Sequence, residues 1–406
     1  MKLDQDKIKI KPLPYLRLFL FIFLIINLIG IINFPFYKER LQNEDLIFLL
    51  ALGLLGFITG TLLIRLFNFK INPVKGRLKP KLFYFAFVVI NLVSFILIAI
   101  THIKNGGILL FLGDKRFATY SYTNIFIYTG IIITLLYFAQ TILINKKISK
   151  SLIAFLAIQS LSVLSMGYRS PLIILAGSCL LIFIIIRNDF QNKHKNVFTL
   201  RNILISLGVI ILMSSISSYR VSQMSDVRLF FKNMDLDYID DHIILKSIMP
   251  TLAVFRYDQE IVIKLISKTK NAPLKGKLAL SNFITILPGE QLGVRNIIGD
   301  LVDARKFPDG KPWSITPTLQ GALFVDGGYI AVFFGFLLLS ACIEYIKKLM
   351  VKRKDPFSIV IYALFAINSL MLIHTGYFDL IFFLLIFVIY CLKFIIMRIK
   401  YVNKDQ

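Results

Sequence analysis

Charge is scarce in this chain of 406 residues, and acid is scarcer still: charged types make up 17%, with 23 aspartates and glutamates against 47 lysines and arginines. A soluble domain carries about a quarter charged residues. Here 57% of residues are hydrophobic and the mean hydropathy is +0.73, more apolar surface than one or two aqueous cores can bury. This excludes a plain cytosolic enzyme and a disordered chain. Cysteine is almost absent. Cys179, Cys342 and Cys391 each lie inside an apolar run without metal-ligand spacing, which excludes a secreted disulfide scaffold and reads as buried small hydrophobes. The four histidines (His102, His194, His242, His374) form no HxxH or HxxxH pair, so no zinc site is expected. Asp240 and Asp241 are adjacent rather than spaced as a metal-holding pair. A metal-dependent nucleotide-sugar site is therefore not supported, and neither metal nor cofactor is expected.

What the chain has in quantity is long apolar runs. Crossing a hydrocarbon layer of about 30 Å takes roughly 20 apolar residues as a helix. Ten such runs begin near Tyr15, Leu46, Leu82, Ile125, Leu152, Pro171, Ile203, Gly327, Phe357 and Tyr377. The first is long enough to span and lacks a small-residue cleavage site, so it reads as a retained signal anchor. The expected fold is an all-α polytopic membrane protein of about ten transmembrane helices: seven within residues 1–218, an extracytoplasmic cap loop over 219–326, and three more within 327–406.

The formal charge of +24 is distributed accordingly. With both termini on one side, that side gathers 27 lysines and arginines, the short loops of the opposite side hold six, and 14 lie in the long segment. The positive-inside rule makes the first side cytoplasmic. No basic stretch reads as a groove-binding motif, so nucleic acid is not an expected partner despite a pI near 9.8. In the long segment, Thr251 to Ser267 places Leu252, Phe255, Val262 and Ile266 at helical spacing and reads as an amphipathic helix. Leu278 to Leu287 is a second apolar stretch, stopped by Pro288-Gly289, and residues Gly289 to Pro317 read as a functional loop.

The spans themselves hold few ionisable groups. Asn27, Asn91, Gln140, Gln159 and Asn368 read as interhelical hydrogen-bond glue. The lack of central charges argues against an ion-coupled transporter. Charge collects instead at the outer face, in Arg116, Arg169, Arg220, Arg228, Arg256, Arg295 and Arg305. A guanidinium fork pairs bidentately with phosphate. One contact at about 4 Å gives on the order of 4 kcal/mol at an effective dielectric near 20, suited to stabilising a departing diphosphate. Arg169 follows Tyr168 in a very short hairpin, Met166-Gly167-Tyr168-Arg169-Ser170-Pro171. Arg295 follows Pro288-Gly289-Glu290-Gln291-Leu292-Gly293-Val294. Removing a proton from a hydroxyl acceptor also needs a base, and Asp226, Asp258, Glu260, Glu290, Asp300, Asp303 and His374 are candidates that spacing cannot rank.

The short Gly-Tyr-Arg hairpin, the late large loop and the segment Trp313 to Phe334, with Thr316-Pro317-Thr318 and Gly327-Gly328, together resemble the Wzy-type oligosaccharide repeat-unit polymerases of O-antigen and capsule synthesis. The early loop with Gly106-Gly107 and Arg116 is also similar. Where that pattern has a glutamate after its glycine, Gly321 is followed by Ala322, which turns attention to the arginines. The resemblance implies a GT-C-like, metal-independent glycosyltransferase of the bacterial inner membrane. It would polymerise repeat units carried on undecaprenyl diphosphate, with membrane lipids and a chain-length regulator as partners. It further implies Arg169, Arg256 and Arg295 as catalytic groups, with Arg116, Tyr168, Arg220, Glu290 and His374 at the substrate. An O-antigen ligase-like or peptidoglycan-type transferase is the alternative with related chemistry, and a lipid-linked oligosaccharide flippase is the alternative of another class.

Overall fold

The computed structural model describes residues 15–41, 44–67, 69, 76–112, 121–145, 148–167, 170–187, 234–235, 243–284, 292–306, 310, 312–378 and 380–399. Among them are twelve α-helices. Six come first: α1 (Tyr15–Ile31), α2 (Glu44–Leu66), α3 (Pro80–Lys104), α4 (Ser121–Asn145), α5 (Lys150–Ser165) and α6 (Ser170–Arg187). Then follow α7 (Ile243–Thr269), α8 (Lys277–Ile284), α9 (Val294–Leu301), α10 (Leu319–Arg353), α11 (Pro356–Thr375) and α12 (Leu380–Ile396). Five of these, α2, α3, α4, α10 and α11, are long and apolar enough to cross a membrane, and α1, α5, α6 and α12 are shorter apolar helices. The protein is a polytopic membrane protein. The expected seventh run, near Ile203, lies outside the described residues.

Helix boundaries follow local chemistry. Ser149 accepts the Leu152 N–H at 3.2 Å to start α5. Asp355 accepts the N–H groups of Phe357 and Ser358 at 3.0 and 3.1 Å, with Pro356 at the first helical position of α11. Thr318 caps α10 through Gly321 N–H at 3.3 Å. The eighth run therefore does not start a helix at Gly327. Its helix opens at Leu319, and the glycine pair marks a kink inside it, with Gly328 at φ 64°, a conformation that suits glycine. The loop Gly289–Pro317 likewise contains α9, and the last helix begins at Leu380 rather than Tyr377.

The bundle core is mostly aliphatic and aromatic, with Phe19, Phe23, Phe57, Phe336 and Tyr362 fully enclosed. Helix α2 lies against α10 at close range. A Cβ at Gly56 or Gly60 would overlap the carbonyl oxygens of Phe333 and Leu337, the close backbone approach that small residues permit in membranes. Of the expected amides, Asn27, Asn91 and Gln159 join helices, whereas Asn368 donates to Leu364 O of its own helix at 2.8 Å. Asn91 Oδ1 accepts from Thr134 and Gln159, each at 3.2 Å, and so links α3, α4 and α5. Tyr15 OH on α1 donates to Ala366 O on α11 at 2.8 Å.

The two ends of the bundle differ. At one, Arg65 meets Glu344 at 3.3 Å, Lys348 reaches the carbonyls of Ile64 and Phe67, and Lys393 lies 3.7 Å from Asp355. A short antiparallel pairing of Gly76–Leu78 with Met397–Ile399 closes this basic end, a small addition to the expected all-helical fold. The opposite end carries α7, α8 and α9.

Candidate functional site

Helix α7 organises the cap end. One stripe of it, Val262 and Ile266, belongs to the bundle core. The neighbouring stripe, Ile261 and Leu265, belongs to a second cluster with Leu278, Val294, Ile298, Ile315, Ala322 and Val325. A helix with two adjacent apolar stripes can be packed on both sides. Its polar residues Arg256, Asp258 and Gln259 are consequently 2%, 1% and 0% exposed. Unpaired, such groups would be costly to bury, and each is met by a partner from another element.

Arg256 turns toward α1 and the connection after it. One terminal nitrogen donates to Asn33 Oδ1 at 3.0 Å and Gly30 O at 3.4 Å, and the other donates to Glu39 O at 2.6 Å. Glu260 Oε1 stands 3.5 Å from Nε, and the guanidinium lies 4.5 Å from the centre of the Tyr37 ring. Burial pushes the Tyr37 phenol up to about 12, while the adjacent Arg256 charge pulls it the other way. Among the sequence-predicted arginines this one does not face solvent. It clamps α7 to α1.

Gln259 continues the contact one turn on. Gln259 Nε2 donates to Asn27 Oδ1 at 3.1 Å, and the Gln320 amide, on the first turn of α10, donates to the same oxygen. Three helices thus meet at one side-chain oxygen.

On its other side α7 presents Asp258. His374 Nδ1, in the last turn of α11, lies 2.6 Å from Asp258 Oδ2, and Thr316 Oγ1 donates to Oδ1 at 3.3 Å. The carboxyl is pushed upward by burial, against which the His374 charge and the two hydrogen bonds act. The His374 side chain itself is 38% exposed. Two of the seven candidate bases, 116 residues apart, therefore form one acid–imidazole pair.

Asp326 ties the remaining cap together. Its two oxygens accept the Leu278 and Ala279 N–H groups at the start of α8, each at 2.8 Å, and the Tyr377 hydroxyl at 2.6 Å. Arg295 sits half-buried on the first turn of α9, where its carbonyl accepts Ile315 N–H at 3.0 Å. Glu260 serves Arg256, Asp300 pairs with Lys306 at 3.2 Å, and Asp303 pairs with Lys268 at the surface. Arg116, Tyr168, Arg169, Arg220, Arg228, Asp226, His242 and Glu290 lie outside the described residues.

Sequence reading missed Asn33, Tyr37, Gln259, Gln320, Asp326 and Tyr377. The available signal for Gln320 was an amide in an otherwise apolar stretch, and for Asp326 a lone acid before a glycine pair, whereas Gln259 stands between Asp258 and Glu260 and carried none. No group of three or more metal-ligating side chains is found among the described residues. A family model described as "Putative O-antigen polymerase" matches residues 9–386. No curated protein and no solved structure matches the chain.

Proposed function

The chain belongs to the O-antigen polymerase family, and from that premise we propose that it joins oligosaccharide repeat units carried on undecaprenyl diphosphate, at the non-cytoplasmic face of the bacterial inner membrane. The observation that carries this reading is the contrast between the ends of the bundle. One end is ringed by Arg65, Lys348 and Lys393, as cytoplasmic ends are. The other buries Arg256, Asp258, Gln259 and Asp326 in a helical cap, and both termini then fall on the cytoplasmic side.

The donor is the growing chain on its lipid, and the acceptor is a single lipid-linked unit. The acceptor hydroxyl displaces the lipid diphosphate at the anomeric carbon. Arg169 and Arg295 hold that diphosphate and stabilise its charge as it leaves, with Arg116, Tyr168, Arg220 and Glu290 at the glycan. Arg256 supports them at one remove, because its terminal nitrogens are taken up by Gly30, Asn33 and Glu39. The reaction needs no metal, and a chain-length regulator acts as a partner.

Deleting the gene and analysing surface glycan tests the reading. Single lipid-linked units should accumulate and long chains should vanish. An unchanged ladder of chain lengths overturns it. In the Arg169→Ala variant, normal insertion with loss of chain growth is expected, and full activity would remove Arg169 from the site.

A further inference from the structure

We propose that His374 is the base that removes the acceptor hydroxyl's proton and that Asp258 is its positioning residue, an inference resting on the polymerase reading above. The Nδ1–Oδ2 separation is 2.6 Å. A carboxylate on Nδ1 holds the N–H there and places the imidazole lone pair on Nε2. Thr316 occupies the other carboxylate oxygen at 3.3 Å, so the acid is held from two elements and cannot rotate freely. The pair is graded in exposure: Asp258 is 1% exposed and the His374 side chain 38%. The acid is withdrawn into the protein while the ring reaches the cap-end surface.

The location fits the step. His374 ends α11, Thr316 precedes the start of α10, and Asp258 lies on α7, so the base stands where bundle and cap meet. As the acceptor oxygen's electron pair forms its bond to the donor's anomeric carbon, its proton passes to Nε2. The bond from that carbon to the diphosphate oxygen breaks, and its electron pair leaves with the lipid diphosphate. Asp258 holds the imidazolium charge until the proton is released to solvent. A positioned base of this kind contributes about 10²–10⁴-fold in rate.

The full-length protein in lipid vesicles, given undecaprenyl-diphosphate-linked repeat units, provides the test. Chain formation and binding of the lipid-linked probe are read for wild type, His374→Ala and the double variant Asp258→Asn/His374→Gln. The double variant keeps a hydrogen-bonded pair without a titratable ring and guards against misfolding of the single one. Both variants should bind the probe like wild type and lose about 10²–10⁴-fold in chain formation. Added imidazole should restore part of the rate to His374→Ala, where it leaves room for the ring. A double variant that polymerises at the wild-type rate overturns the inference and leaves the polymerase reading standing. Loss of probe binding in both variants, without imidazole rescue, assigns the pair a structural role and also overturns it. A wild-type protein that forms no chains refutes the polymerase reading and this inference with it.

Discussion

Tyr377 donates its hydroxyl to Asp326 at 2.6 Å, and the same carboxylate receives two backbone N–H groups from the start of α8. Three segments distant in sequence are fastened at this one side chain. Asp326→Ala should destabilise the detergent-solubilised protein by about 2 kcal/mol, the range for lost hydrogen bonds to a charged group, and Tyr377→Phe by about 1 kcal/mol. Thermal melting checks the order. Equal losses would mean that the α8 N–H groups draw nothing from Asp326.

Arg256 should resist replacement even by lysine. A single ammonium cannot supply the separate directions that Asn33, Glu39 and Glu260 require. Arg256→Ala should cost about 3 kcal/mol, as removal of one partner from a buried polar cluster does. Arg256→Lys should recover less than half of it. Limited proteolysis of the segment 32–41 gives a second readout, with faster cleavage expected in both variants.

The pairing of α2 with α10 predicts a steric result. Gly60→Ala places a Cβ against Leu337 O and Ser340 Oγ, and should lower stability by about 1–3 kcal/mol. Gly276→Ala meets no atom within 4 Å, though its φ of 85° is left-handed, and should cost about 1 kcal/mol. Melting temperatures of the two variants decide the comparison.

Stability of the His374→Ala variant should fall as pH rises. Burial raises the Asp258 carboxyl in the folded state, and with His374 gone only Thr316, among its described contacts, acts against that. A folded-state pKa above the unfolded one means that the native protein binds the extra proton. Its stabilising contribution is thus complete below the ordinary carboxylate range and is lost as pH climbs through the raised value. Melting midpoints taken from pH 4 to pH 8 should slope downward in His374→Ala. They should flatten when Asp258→Asn is added.

Much of the architecture was legible because hydropathy over 20 residues reports the same burial that lipid enforces. The runs near Leu46, Leu82, Ile125 and Phe357 coincide with α2, α3, α4 and α11. The start of α10 was hidden because Leu319 to Asp326 contains Gln320 and Asp326, whose cost is offset by Asn27 and Tyr377, residues remote in sequence. The site was less legible for the same reason. Nothing local to Tyr257-Asp258-Gln259 records that its acid meets an imidazole at the end of a span 116 residues later. Arg256 looked like a ligand for phosphate because its charge was visible in the sequence and its carbonyl partners, being backbone, were not.

Helix α10 is two helical limbs joined at a sharp bend, where Gly327 and Gly328 leave the helical backbone conformation. The bend lays the Leu323 side chain of the short first limb over Gly335 of the second, so the limb bearing Gln320 and Asp326 doubles back along the one that leads to Glu344 and Lys348. That fold-back makes Gly335 a latch: Gly335→Ala would put a Cβ where the Leu323 side chain lies, prising the limbs apart and drawing Gln320 off Asn27 and Asp326 off Tyr377 together, although neither pair lies near the substitution.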